Sequence, residues 1–150
     1  MKIFCIGRNY ADHAKEMNAD VPSEPVFFMK PDNALLKTKV FFYPKFTQNL
    51  HHECEVVVRI NRVGKNIAPK FAHKYYNQIG LGIDFTARDL QQNCKDKRLP
   101  WELAKAWETS APISKKWLST DDYDINNLDF SFKVNDEVVQ KGNTSNMLFS

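Results

Sequence analysis

Two carboxylates two residues apart, Glu53 and Glu55, stand inside the run Leu50 to Ile60, LHHECEVVVRI, where Val56, Val57, Val58 and Ile60 supply the β-branched density of a strand. Side chains alternate along a strand, so the two acids share one face. Like charges that close raise each other's pKa unless a cation lies between them. The pair is therefore either a solvated strand face or half of a site for a divalent ion. A third acid, Asp84, follows the apolar, Gly-spaced stretch Ile79 to Ile83, which predicts a strand that ends at Asp84. There the chain would turn into a helix, with Thr86 as cap and Asp89 at the third position. Three carboxylates would favour hard cations such as Mg²⁺, Mn²⁺ or Ca²⁺. A zinc site would need His51 with Glu53, or His52 with Cys54, and neither spacing has a distant partner pair.

Other residues could do chemistry. His13 and Glu16 are three apart in a helix expected from about Tyr10 to Met17, as a charged surface pair or as an acid/base dyad. Lys105 sits in apolar company in LPWELAKAWETSAPIS, whose local structure is ambiguous, and a partly buried lysine needs a counter-charge or an anionic ligand. Phe27, Phe28, Phe41, Phe42 and Tyr43 are most simply core, because base-stacking surfaces interleave aromatics with a basic stripe.

The elements that must hold these residues are short. Lys2 to Ile6 predicts a short strand, Val26 to Met29 is a short apolar segment punctuated by prolines, PKFAHKYYNQ predicts a helix, and LDFSFKV with EVVQKG a hairpin turning at Asn135 and Asp136. The class is α+β with a mainly antiparallel core. The 150 residues, 43% hydrophobic, suit one domain spanning 1–150. The net charge of +3 selects no partner by itself, and no stretch is long and apolar enough to span a membrane, so neither a nucleic-acid nor a membrane partner is expected. Cys5, Cys54 and Cys94 are odd in number and far apart, which points away from a disulfide framework and toward a reducing, cytoplasmic setting.

The stretches IGRNYADHAKEMN, FFMKP, HHECEVVV, GLGIDFTARDLQ and LPWELAKAWETSAPIS, in this order from near residue 3 to about 114, resemble the short single-domain branch of the fumarylacetoacetate hydrolase family; GNTSNM resembles a later family stretch. The resemblance implies a β roll or sandwich with short helices, a homodimer, and a small anionic 2-oxo acid as substrate. It implies Mg²⁺ or Mn²⁺ on Glu53, Glu55 and Asp84, with Ca²⁺ as an occupant in crystals. It places the family's catalytic His and Glu, carried on a lid helix, at His13 and Glu16, and its active-site lysine at Lys105. Substrate-contacting roles fall on Arg88, Gln91 and Lys30. The activities implied are cleavage of a C–C bond in a 1,3-dicarbonyl acid through an enolate, as in acylpyruvate hydrolases and oxaloacetate decarboxylases, or isomerisation of a 2-hydroxy-dienedioate. A non-catalytic, metal-binding relative is the remaining reading. Family members continue past the position of Ser150, so the chain is expected to lack a C-terminal part of the fold.

Overall fold

The computed structural model describes residues 1–11 and 21–150. Its backbone is built around one long antiparallel pair. The β-branched run makes a strand over Leu50–Ile60 (β3), and Tyr76–Ala87 (β4) pairs with it along its whole length. A short strand, Leu118–Ser119 (β5), pairs on the other edge of β4 at Gln78 and Ile79. Glycine lets the chain wall in this sheet: a Cβ at Gly82 would stand 2.8 Å from Val57 Cγ2 and 3.3 Å from the Pro112 carbonyl. The 112–114 segment therefore runs close beside β4, with Ile83 N–H donating to Pro112 O at 2.8 Å.

Two further ribbons complete the sheets. Ile3–Gly7 (β1) pairs antiparallel with Val26–Lys30 (β2), and Asp129–Val134 (β6) with Glu137–Asn143 (β7). Asn135 and Asp136 form the two-residue turn, with φ of 50° and 66°. Both angles lie in the left-handed region, which Asn and Asp tolerate better than most side chains. Helices are short: Arg88–Asp96 (α1) and Glu102–Lys105 (α2), with a 3₁₀ helix over Pro69–Tyr75 and single 3₁₀ turns at Asp32–Ala34 and Thr144–Asn146. The fold is α+β with antiparallel sheets.

Several local expectations are corrected. The strand carrying Asp84 does not stop there but continues to Ala87, so Asp84 lies within the ladder, directly opposite Glu53. Thr86 is consequently a strand residue, fully buried, and α1 starts after Ala87 without a side-chain cap. Asp89 instead accepts from Thr47 Oγ1 at 2.5 Å and Gln48 N–H at 3.0 Å, tying the 47–49 strap to the helix start. The PKFAHKYYNQ stretch forms a 3₁₀ helix over Pro69–Tyr75 that gives way directly to β4. Of the five aromatics assigned to the core, Phe41 stacks on Phe85 at 4.1 Å and Phe28 packs on Trp101, whereas Phe27, Phe42 and Tyr43 are exposed. Strand alternation explains Phe27: it shares the outer face of the β1–β2 ribbon with Phe4, Ile6 and Met29.

Candidate active site

The β3–β4 register brings together residues 31 apart in sequence. Directly opposed residues of an antiparallel pair share a face, so Glu53 meets Asp84, His51 meets Thr86, and Glu55 lies across from Gly82. This face floors a cavity of about 500 Å³ lined also by Arg88 and Gln91 of α1, Lys105 of α2 and Tyr10 after β1.

Lys105 is the centre of the floor. Its side chain is 3% exposed, and its ammonium donates to Glu53 Oε2 at 2.7 Å, Asp84 Oδ2 at 2.6 Å and Thr86 Oγ1 at 2.5 Å. Three N–H bonds thus meet three oxygens, and the Phe28 ring closes the apolar side at 5.1 Å. Burial alone would drive this lysine's pKa down, but the charges of Asp84 and Glu53 outweigh it and hold the ammonium above the ordinary lysine value. Arg88 takes the other oxygen of the same carboxylate, Nη2 donating to Glu53 Oε1 at 2.5 Å, while its Nη1 donates to Gln91 Oε1 at 2.5 Å. Gln91 is buried and orients the guanidinium. Sequence reasoning named Glu53, Glu55, Asp84, Lys105, Arg88 and Gln91, and all six line this cavity. His13 and Glu16 lie outside the described residues.

Lys30 takes a different place from the one expected. It is 1% exposed and sits behind the floor, within reach of the carbonyls of Phe85 (3.2 Å), Lys105 and Ser110 (3.1 Å) and of Ser110 Oγ (3.0 Å). Three N–H bonds serve four acceptors, so none is left for a ligand. The ammonium also stands 2.9 Å from Asp84 Oδ1 as an ion pair, although Oδ1 has no aligned hydrogen bond among the described residues. Lys30 thus sits behind Asp84 and the turn after α2, off the cavity lining, where we propose that it positions them. Burial pushes its pKa below the ordinary lysine value, opposed by Asp84.

Two residues were missed. Gln140 of β7 accepts from the Cys54 N–H at 2.7 Å and donates to the Cys54 carbonyl at 2.9 Å, filling both backbone groups of the residue between the two glutamates. Ser110 completes the Lys30 cradle. Neither has a local signal in the sequence, because each acts across more than 75 residues of chain.

The donor chemistry suits a hard divalent cation: three carboxylates on one strand-pair face, one of whose buried oxygens lacks an aligned donor. In this conformation the Lys105 ammonium occupies the middle of that face. Among the described residues no three His, Cys, Asp or Glu side chains converge on a point that would seat an ion.

Residues 2–150 match the family described as fumarylacetoacetate (FAA) hydrolase, C-terminal. The chain belongs to this family. It is 43% identical over 149 residues to the mitochondrial oxaloacetate tautomerase FAHD1 of Bos taurus, covering 99% of this chain and 67% of the relative. It is 39% identical over 150 residues to the mitochondrial oxaloacetate decarboxylase of Dictyostelium discoideum, covering 99% of this chain and 69% of that protein. The fumarylpyruvate hydrolase of Pseudomonas aeruginosa, solved in complex with Mn²⁺ and pyruvate, superposes with a TM-score of 0.90 at 33% identity, over 100% of this chain and 67% of that one. This member of the fumarylacetoacetate hydrolase family therefore spans about two thirds of the length of these relatives, which are enzymes of small 2-oxo acids. The antiparallel fold is the family's fold.

Proposed function

We propose that the cavity turns over a small anionic 2-oxo acid through its enolate, cleaving a C–C bond of an acylpyruvate or decarboxylating oxaloacetate. The observation that carries this reading is the buried charge knot of Lys105, Glu53, Asp84 and Arg88 on a cavity floor. Reactions of 2-oxo acids share one difficulty, negative charge gathering on the oxygen at C2 as a bond at C3 breaks. Fixed cations in a water-poor site stabilise such charge because they need no reorganisation. In this reading Arg88, held by Gln91, binds a substrate carboxylate with its planar fork. Lys105, fixed by Thr86 and Asp84, donates a hydrogen bond to the developing enolate oxygen. Glu53, Glu55 and Asp84 would hold a Mg²⁺ or Mn²⁺ ion, which as a Lewis acid polarises a bound carbonyl. His13, oriented by Glu16, would move the proton, from an attacking water in hydrolysis.

A second reading is keto–enol interconversion of the same acids without bond cleavage, favoured by the name oxaloacetate tautomerase borne by relatives 42–44% identical to this chain. One assay separates the two. The chain with Mg²⁺ or Mn²⁺ is given acetylpyruvate or oxaloacetate while enol absorbance and pyruvate are followed together. Cleavage releases pyruvate; tautomerisation relaxes the enol signal and releases none. Lys105→Met should lower either rate by about 10²-fold or more. A folded protein that changes neither signal on either acid would sink the enolate reading and leave a non-catalytic relative. The reading includes a homodimer, measurable by light scattering. All three cysteines are free thiols, which supports a reducing compartment, cytoplasmic in our reading although the relatives' names say mitochondrial.

A further inference from the structure

The knob joining β3 to β4 has an unusual charge distribution. From Val56 through Ile83 the chain contains no Asp or Glu, but it contains Arg59, Arg62, Lys65, Lys70 and Lys74, which exceed the whole chain's net charge of +3. Read as a linear string these cations look dispersed. The fold gathers them at one end of the sheet.

Residues 61–74 are all exposed. Their backbone is nevertheless built: Asn61 N–H donates to the Tyr75 carbonyl at 2.9 Å, Asn61 Nδ2 to Asn77 Oδ1 at 2.6 Å, and Pro69–Tyr75 winds into the 3₁₀ helix. Gly64 packs so closely under Ile67 and Tyr75 that any side chain there would collide with them. None of the five cations is in an ion pair with an acid among the described residues. Four of them lie over aromatic rings instead: Arg59 over Trp117 at 5.6 Å, Arg62 over Tyr75 at 5.8 Å, and Lys70 and Lys74 against Phe71 at 5.1 and 5.0 Å. The next acid along the chain is Asp84, on the cavity floor at the other end of the strand pair, and Asp121, Asp122 and Asp124 follow β5.

Apolar side chains are interleaved with the cations. Val63 is 99% exposed between Arg62 and Lys65, Ile60 is 65% exposed, and Ile67 and Phe71 stand out of the same knob. A bare valine at the tip of a basic loop gains nothing in water. Against a second copy of this chain the surface would face five like charges. Nucleic-acid phosphates would satisfy the lysines but leave Val63 and Ile60 in water. An anionic bilayer surface satisfies both groups, since basic residues are attracted to its headgroups while apolar ones enter the boundary beneath.

We propose that the β3–β4 knob, residues 59–74, is a peripheral docking surface for anionic phospholipid membranes. It needs no spanning segment, and among the described residues no helix is long and apolar enough to be one. The absence of a spanning segment, on which the expectation of no membrane partner rested, has no bearing on surface binding. This inference is independent of the catalytic reading.

The test is co-sedimentation of the 150-residue chain with phosphatidylcholine vesicles, with and without phosphatidylserine. Binding should require the anionic lipid and fall with added salt. The double variant Lys65→Glu/Lys70→Glu should lower the partition coefficient by about tenfold or more. Val63→Ser, which leaves every charge in place, should lower it several-fold while leaving retention on a soluble polyanion unchanged. Melting curves establish that the variants remain folded. No sedimentation with phosphatidylserine vesicles would overturn the proposal. So would Val63→Ser binding vesicles as the parent does, or an oligonucleotide being bound far more tightly than the vesicles.

Discussion

Replacing Lys30 with methionine separates two roles that look alike in sequence. Methionine keeps the length and apolar stem of the lysine and removes its charge and three donors. In the native fold that ammonium stands 2.9 Å from Asp84 Oδ1 and supplies the hydrogen bonds to Phe85, Lys105 and Ser110 from a side chain 1% exposed. Breaking a buried ion pair by deleting one partner costs about 3–5 kcal/mol. Two features place this case at the lower end. Asp84 keeps Lys105 at 2.6 Å, and the Lys105 carbonyl keeps a hydrogen bond from Ser110 Oγ at 3.0 Å. The lowered pKa of Lys30 also shows that burying its charge is itself costly. A loss of about 3 kcal/mol is expected, a large share of the roughly 5–15 kcal/mol of an ordinary domain. Urea unfolding should show it as a lower midpoint with the slope unchanged. A substrate-contacting lysine would behave otherwise, raising KM with little change in stability. An unfolding free energy within about 1 kcal/mol of the parent, with the effect confined to KM, would refute the positioning role.

Gln140→Ala should cost about 1–3 kcal/mol, since both Cys54 backbone groups lose their partner, and Gln140→Glu should restore only the bond from the Cys54 N–H; chemical unfolding of the three proteins checks this. Arg88→Met frees Glu53 Oε1 and should raise Mn²⁺ affinity in calorimetric titration by a few-fold while weakening 2-oxo acid binding; equal or lower Mn²⁺ affinity would show that the guanidinium does not compete with the ion. Burial pushes the Cys5 thiol up to about 12, aided by the Asp84 charge, and the Cys54 thiol up to about 11. Iodoacetamide near neutral pH should therefore leave both unmodified in the folded protein and label them after denaturation. The Thr47 hydroxyl, then the Gln48 N–H, hold Asp89 below the ordinary aspartate value of 3.8. The stability this contributes is fully present above 3.8 and is lost as pH falls through the lower folded value, so Asp89→Asn should flatten the acid limb of a melting-temperature profile.

Local periodicity made β3, the β6–β7 turn and the shared face of Glu53 and Glu55 legible in the sequence, because each depends on neighbours two or three residues apart. The partnership of Glu53 with Asp84 could be suspected from residue type but not located, since it depends on the register of two strands. The end of β4 was misread for a related reason. Asp84-Phe85-Thr86 has the composition of a strand end and helix cap, but pairing with His51, His52 and Glu53 holds the segment extended for three more residues. Lys30 was the least legible residue. Its partners lie 54 to 80 residues away, and all but Asp84 Oδ1 and one Ser110 hydroxyl are main-chain carbonyls, which no side-chain pattern reports. The basic knob was hidden differently: its charges are spaced widely enough to escape notice as a block, and only the turn between two long strands collects them.

The same strand pair carries acid at one end and base at the other, and the separation has a physical consequence. Glu53 and Ile60 are seven residues apart on β3, which at about 3.3 Å per residue is roughly 23 Å. Over that distance, beyond two Debye lengths at physiological salt, the knob's cations contribute little to the potential at the carboxylates. The acids must be neutralised by what touches them, and Lys105 and Arg88 do so within 2.7 Å. An ion entering the floor has to take Glu53 from these two cations rather than simply fill a gap. Lys105 would retain Asp84 and Thr86 when it gives up Glu53, so the exchange costs it one of three hydrogen bonds. None of the knob's residues 59–74 lines the cavity. Binding at one end and turnover at the other would then be separable by mutation, with Lys65 and Lys70 affecting the first and Lys105 and Arg88 the second.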